Sequence, residues 1–353
     1  MPSVIHKPDP ERLTRVIAVS MKIIQNGTCL KDDYRQAVLA IGNFDGVHRG
    51  HQAVLKQTQQ IAKASGRPFG AIVFEPHPRT FFNPDKPVFR LTPLEVKARL
   101  MEKQGVDLLS VLTFDRSLAA MPAHDFIEKI LTDQHGISHI VCGYNFRFGH
   151  RRAGDVALLT QMGEEFGFGV TVISSVLLHQ DASGDVPFSS SIIREKLREG
   201  NMRGAADLLG YWWHLSGPVI EGDKRGRDIG YPTANIFIDQ GGWPKLGIYA
   251  VRVTIGEEKH LRPGVAYIGS RPTFNKHSVV LEVHLFDFAG DLYGKNLRVE
   301  LIEFLRPDAA FETVEKLIVQ MDEDSLKARR ILADMTTHGD PMAQYTLGAI
   351  ADR

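Results

Sequence analysis

The chain has 353 residues, 43% of them apolar and 24% charged, with 42 Lys and Arg against 42 Asp and Glu. That balance excludes a disordered or membrane-dominated polypeptide, and the length exceeds one ordinary core while suiting two domains. Zero net charge also excludes a long-range basic field that would collect nucleic acid, so any anionic ligand must be held by local groups.

The N-terminal stretch MPSVIHKPDPERLTRV carries prolines and acidic residues where a signal peptide would have an apolar core, and no later run reaches membrane-spanning length. Cys29 and Cys142 lie far apart and make no metal-spaced or redox pair, which suits free thiols in a reducing compartment. The expected setting is cytoplasmic, with no membrane, no nucleic acid and no obligatory protein partner. The sequence shows neither an internal repeat nor a low-complexity segment.

Between residues 37 and 176, short β-branched runs (VLAIG, FGAIVFEPH, DLLSVLTF, HIVCGYNF, GVTVISS) alternate with amphipathic stretches at 51–64, 94–104 and 123–134. Alternating buried strands and helices predict an α/β Rossmann-like domain, whose parallel sheet is covered on both faces and binds ligands at the carboxyl ends of its strands. The first of those runs leads through GNFDGVHRGH into a helix, where such a sheet presents phosphate-binding groups. Gly42, Gly46 and Gly50 permit close backbone approach. His48 and His51, three apart at the helix start, would project from one face beside unpaired backbone N–H groups.

Zinc is the obvious rival for two close histidines, but the H-E-x-x-H pattern is absent and no nearby cysteine completes a ligand set. A plain polar turn would have to gather three glycines and two histidines at a strand exit by chance. Later in this half, Ser189 and Ser190 precede a helix with Arg194 in its first turns. Hydroxyls, amides and a guanidinium could converge there on pyrophosphate, although an ordinary capped helix reads the same way.

Past residues 208–210 the texture changes to short strands and Gly-rich turns (HLSGPVIEGDK, GIYAVRVTI, RPGVAYIGS, VVLEVHLFDF, NLRVELIEFL), which predict a small antiparallel β-barrel. One helix follows over 311–333, acidic at its start and basic near its end at Lys327, Arg329 and Arg330, as the helix dipole favours. The chain thus divides into 1–210, 211–335 and a tail, 336–353, with no legible chemistry.

In EGDKRGRDIGYPTANI, Gly222, Gly226 and Gly230 interleave with Lys224, Arg225 and Arg227, making a mobile basic loop able to fold over polyphosphate. No GxxxxGK[ST] occurs anywhere. Thr233 and Asn235 alternate along an extended segment and offer hard oxygen donors to Mg²⁺ or another divalent cation, with turn capping as the alternative. Glu282, His284 and Phe286 share one strand face opposite Leu281, Val283 and Leu285, so Glu282 would face solvent or a site.

GNFDGVHRGH resembles the H-x-G-H motif of nucleotidyltransferases, and the longer string is similar to the bacterial FAD synthetase module. FEPHPRTFF, LLSVLTFDRSLA, CGYNFRFGHRRAGD and FSSSIIREKLREG follow in the order of that module, with Ser191 where the family usually has Thr. EGDKRGRDIGYPTANI and LEVHLFDFAGDLYGK resemble the riboflavin kinase signature. Over residues 37–333 the chain therefore resembles the bifunctional bacterial riboflavin kinase/FMN adenylyltransferase family.

The resemblance implies that the C-terminal domain converts riboflavin and ATP to FMN and ADP, and that the N-terminal domain converts FMN and ATP to FAD and pyrophosphate. In the second reaction the nucleophile is already anionic, so charge stabilisation by His48, His51 and Arg194 would dominate. In the first reaction a neutral hydroxyl must lose its proton, and the resemblance gives that task to Glu282. It places Gly42, Asn43, Phe44, Asp45, Gly46, Gly50, Asn145, Ser189, Ser190 and Ser191 at one nucleotide, and Gly222, Lys224, Arg227 and Gly230 at the other. It places Pro76, Pro78, Phe146 and Arg329 at flavin, and Thr233 and Asn235 at the metal. Two other readings stay open at this point: transfer to a different phosphorylated acceptor, and a flavin-binding carrier or regulator without catalysis. The retained His48, His51 and Glu282 argue against the second.

Overall fold

The computed structural model describes residues 21–25, 32–174, 177–178, 186–222, 226, 229–238, 242–273 and 276–343. Contacts divide the chain into two compact units, one built on residues up to Ser189 and the other on Ser190–Thr346.

The first unit is organised by a parallel sheet of β1 (Lys22–Gln25), β2 (Val38–Ile41), β3 (Phe69–Glu75), β4 (Leu108–Thr113), β5 (His139–Gly143) and β6 (Gly169–Ile173). The spatial order is β1-β4-β3-β2-β5-β6. All four residues of β2 are buried, as a strand paired on both sides and covered on both faces demands. Successive connections run one way from β2 to β3 and β4, then cross back to β5, so the strand order reverses between β2 and β5. In such a sheet that reversal is where ligands bind.

Helices α1 (Arg49–Ser65), α2 (Pro78–Phe82), α3 (Leu94–Lys103), α4 (Arg116–Ala120), α5 (Ala123–Asp125) and α6 (Val156–Phe166) fill the connections. A core of Leu39, Ile41, Ile72, Leu108, Phe126, Ile127, Leu131 and Ile140 lies against them. The helix expected over 123–134 is a single turn, α5, running into a π-helical segment, Phe126–Gln134. Its wider turn lets Phe126, Ile127 and Leu131 all face the core, and His135 stitches its end by bonding Ile130 O (2.6 Å) and Ser110 Oγ (2.8 Å). Burial pushes the Cys142 thiol on β5 up to about 11, so it is an inert core residue; Cys29 lies outside the described residues. A two-residue ribbon, β7 (Leu177–Leu178) with β8 (Val186–Pro187), closes this unit.

The second unit opens with α7 (Ser190–Glu199) and α8 (Met202–Leu209), then builds a closed antiparallel barrel. Its strands are β9 (His214–Ile220), β10 (Ala234–Ile236), β11 (Gly247–Ile255), β12 (Arg262–Thr273), β13 (Lys276–Leu285) and β14 (Asn296–Arg306), ordered β10-β13-β12-β11-β14-β9. Closure leaves no strand edge to template aggregation. Alternate residues such as Tyr249, Val251, Val253, Ile268, Leu281 and Val299 are fully buried.

The last helix, α9, runs Val314–His338, with Thr313 capping its start through Lys316 N. The segment just past it is anchored: Asp340 accepts from Trp212 Nε1 at 2.9 Å and from Arg252 Nη1 at 2.7 Å, and Arg252 also pairs with buried Glu300.

Burial alone would raise the Asp340 carboxyl, but bonds from Trp212, Met342 N and Arg252 outweigh it and hold the group below its ordinary 3.8. Its contribution is therefore complete above pH 4 and fades as acid drives the pH down through the depressed value. Asp340→Ala should destabilise the barrel unit by about 1–3 kcal/mol at neutral pH. Urea titration followed by fluorescence checks this, because all three tryptophans, Trp212, Trp213 and Trp243, belong to that unit.

Candidate active sites

β2 ends at Ile41 beside the strand-order reversal, and the GNFDG loop leads from it to α1. His48 is the N-cap of α1: its Nδ1 accepts the His51 backbone N–H at 3.3 Å, so in this arrangement the ring proton sits on Nε2. The His51 ring stacks on the His48 ring, centroids 3.6 Å apart and 16° from parallel. Burial first, then the neighbouring His48 and Lys97, drives the His51 pKa well below 6.5. Two rings this close cannot both carry charge, and burial keeps His51 neutral. His51 Nδ1 and Asn43 Oδ1 are buried without a hydrogen-bond partner, which leaves both able to bond a ligand.

The rest of the loop serves shape. Gly46 adopts φ 88°, a left-handed conformation that a side chain would strain. Phe44 turns into the core and meets the His51 ring at 5.1 Å. The buried Asp45 carboxylate accepts from Leu91 N at 3.0 Å and Thr92 N at 3.1 Å, while Thr92 Oγ1 accepts from Gly46 N at 2.9 Å. Asp45 thus fixes the loop to the entry of α3, and Phe44 packs into the core beneath it.

Sequence reasoning missed Lys97. It is only 3% exposed, on α3, with its ammonium 3.1 Å from Glu75 Oε1 at the end of β3. The available signal was a lysine on the apolar stripe Leu94, Ala98, Met101 of a helix. Beyond Glu75, Pro76 and Pro78 are half-buried on either side of His77, whose Nδ1 caps α2 by accepting from Arg79 N. Phe81, Phe82 and Phe114 meet edge-on at 5.2–5.8 Å, and Phe82 remains 63% exposed. After β5, Asn145 is exposed and Phe146 stacks on Phe148 at 5.4 Å. Phe126 and Phe74 link these two groups, so an aromatic run follows the carboxyl ends of β3, β4 and β5. Its outer members Phe81, Phe82 and Phe114, unlike the buried Phe126 and Phe148, leave ring surface that suits a flat ring system.

α7 begins at Ser190, directly after Ser189, so the serine hydroxyls do stand at a helix N-terminus. Arg194 is buried within its second turn, and Ser191 is exposed.

In the barrel, β10 pairs with β13 so that Asn235 lies opposite Glu282, and Thr233 Oγ1 is 3.5 Å from Glu282 Oε2. Ala234, Ile236, Leu281 and Val283 point inward. Hydroxyl, amide carbonyl and carboxylate therefore share the outer face, a donor set that fits a hard divalent cation. Gly222 lies so close that a Cβ there would sit 2.2 Å from Asn235 Nδ2. Gly226 O accepts from Tyr231 N at 2.7 Å, and Gly230 has φ 82°. Lys224, Arg225 and Arg227 lie outside the described residues.

Tyr231 donates its hydroxyl to Asp322 of α9; burial, then this bond, raises its pKa. Arg329, expected at flavin, forms a two-pronged pair with Asp287 at 2.6 and 2.9 Å and lies 4.2 Å above the Phe286 ring. Phe286 is buried by that cover although it shares the outer face with Glu282.

The family model for FAD synthetase matches residues 30–185, and that for riboflavin kinase matches residues 209–332. The chain is 41% identical over 292 residues to the bifunctional riboflavin kinase/FMN adenylyltransferase of Escherichia coli K12, covering 83% of this chain and 91% of that protein. The Listeria monocytogenes protein of the same name is 38% identical, with 84% and 93% covered, and the Pseudomonas fluorescens protein 37%, with 89% and 98% covered. A solved structure described as a macrolide-efflux protein from Streptococcus pneumoniae matches with a TM-score of 0.76 at 27% identity, covering 87% of this chain and 98% of that one. Among the described residues no helix is long and apolar enough to cross a membrane. Identity at this level runs through both matched regions in single alignments, and the chain accordingly belongs to the bifunctional riboflavin kinase/FMN adenylyltransferase family.

Proposed function

We infer that the two family activities are executed by the two sites above, each with its own way of handling charge. The riboflavin kinase region moves a phosphoryl group from ATP to riboflavin, giving FMN and ADP; the FMN adenylyltransferase region then joins the AMP of a second ATP to FMN, releasing pyrophosphate. The reading divides the chain into 1–210 for adenylyl transfer, 211–335 for phosphorylation and 336–353 as a tail. It sets the enzyme in the cytoplasm, where ATP is supplied, and needs no nucleic acid, membrane or obligatory protein partner.

The observation that carries the adenylyl-transfer assignment is the stacked imidazole pair at the N-terminus of α1. An FMN phosphate oxygen attacks the α-phosphorus of ATP while the bond to pyrophosphate breaks, and no proton needs to be removed. What the site must supply is stabilisation of anionic charge. The α1 amides and the His48 Nε2–H are donors suited to this, and neutral His51 acts as a hydrogen-bonding group without repelling its neighbour. Family likeness assigns Arg194 to the same task. The aromatic run near Pro76, Pro78 and Phe146 supports those positions as flavin contacts.

At the barrel site the riboflavin hydroxyl loses its proton to Glu282 as its oxygen bonds the γ-phosphorus. Thr233 and Asn235 would hold Mg²⁺, which when bound neutralises charge on the transferred group. Gly222, Gly230, Lys224 and Arg227 serve the ATP phosphates. A flavin contact by Arg329 requires opening its pair with Asp287.

Chromatography of reactions containing riboflavin and MgATP should show FMN and then FAD. His48→Ala should lower FAD formation about 100- to 1,000-fold and spare FMN, whereas Glu282→Ala should lower phosphorylation by about 100-fold or more and leave added FMN usable. Loss of both activities from either substitution in a folded chain would refute the two-site assignment. Gly222→Ala drives a methyl into the Asn235 amide and should cut riboflavin phosphorylation about tenfold or more, with adenylylation of supplied FMN as the unaffected control.

His51 resists protonation when folded but titrates near 6.5 when unfolded, so acid favours the unfolded chain. Stability should be complete above pH 6.5 and fall below it by up to about 1.4 kcal/mol per pH unit from this residue. Urea midpoints measured across that range should show a shallower decline in His51→Gln.

A further inference from the structure

The face of β13 that carries Glu282 brings up a second side chain. His284 is two residues on and shares that face; its Nδ1–H donates to the Pro232 carbonyl at 2.9 Å. A carbonyl only accepts, so the proton is on Nδ1. The same ring rests against Tyr231, centroids 4.9 Å apart, and edge-on to Phe286 at 6.0 Å. One imidazole therefore touches both residues that precede Thr233.

Tyr231 is held by its own bonds to Gly226 O and Asp322, but neither of them fixes the Pro232 carbonyl. β10 begins only at Ala234, so residues 231–233 lie ahead of its ladder. Pro232 has no N–H, which makes its carbonyl the one backbone group it can bond with. The peptide between Pro232 and Thr233 is planar, so holding the carbonyl fixes the direction in which Thr233 departs. Thr233 Oγ1 then arrives 3.5 Å from Glu282, and Asn235 stands across the ladder from the same carboxylate.

We propose that His284 is a positioning residue for phosphoryl transfer: by gripping the Pro232 carbonyl it presets Thr233 and Asn235 as an oxygen pair for a divalent cation beside Glu282. This rests on the roles given above to Thr233, Asn235 and Glu282. His284 itself touches none of the reacting atoms. Groups that orient metal ligands in this way usually change metal affinity or activity by about 10- to 100-fold when removed.

Two amide substitutions separate the donor from mere bulk. Asparagine places its N–H₂ where imidazole Nδ1 stands, whereas glutamine carries it one methylene further, out of line with Pro232. His284→Asn should keep riboflavin phosphorylation within about threefold of the parent, while His284→Gln should lower it about 10- to 100-fold and raise the half-saturating Mg²⁺ concentration. Without turnover, hydrogen–deuterium exchange in the peptide covering residues 229–238 should accelerate in His284→Gln and stay near the parent in His284→Asn. A purely space-filling role predicts the reverse order, since glutamine fills the ring's volume better. If either the rates or the exchange fail to separate the two amides, the proposal is overturned. Glu282→Gln run in parallel tests the underlying reading: retained phosphorylation there would sink the site assignment, whereas its loss beside an active His284→Gln would sink the His284 role alone.

Discussion

A strand buried on all sides has nowhere to put a functional group except at its ends, and β2 is such a strand. Val38–Ile41 is paired by β3 and β5 and wholly buried, so its backbone and side chains are committed to the core. The chain becomes available for chemistry only past Ile41, where the strand order reverses. Gly46, Asp45 and Thr92 then fix the path of the loop, and His48 joins it to the first turn of α1. The imidazole pair is in this sense a product of the sheet.

The two centres answer different electrostatic demands with different surroundings. On the reading proposed above, the ligand at α1 brings the negative charge and the helix terminus receives it; burial, with the stacked His48 beside it, keeps the His51 ring neutral and leaves it able to hydrogen-bond. On the same reading the alcohol that reaches the barrel is neutral, and the outer face offers it a carboxylate flanked by a hydroxyl and an amide. The barrel's alternation of inward apolar and outward polar residues makes that face possible, because Leu281 and Val283 are buried so that Glu282 need not be.

Much of this was legible in the sequence because it is local. Strand runs, the H-x-G-H spacing and the T-x-N alternation each depend on neighbours a few residues apart, and the structure puts Thr233, Asn235 and Glu282 on one face as their periodicity required. What escaped depends on distant partners. β1 is a four-residue edge strand whose register comes wholly from β4. The π-helical turn after Asp125 needs the buried His135–Ser110 contact, and Lys97 is explained only by Glu75 on another element. Arg329 reads from the sequence as a dipole-favoured cation near a helix end or a flavin contact, and its partner Asp287 lies on the turn after β13. The tail 336–353 has no chemistry legible in the sequence because Asp340 finds its partners at Trp212 and Arg252.

That last contact joins positions 128 residues apart, at opposite ends of the kinase unit. The parallel sheet has its final strand in hand at Ile173, whereas the barrel closes only with β14, which ends at Arg306, and gains its Asp340 tie about 170 residues after Ile173. On a ribosome releasing chain from the amino terminus, the module that finishes FAD is ready to fold well before the one that starts it. The order of manufacture is thus the reverse of the order of catalysis, and a nascent chain can complete its adenylylating half while the supplier of that half's substrate is still being threaded out.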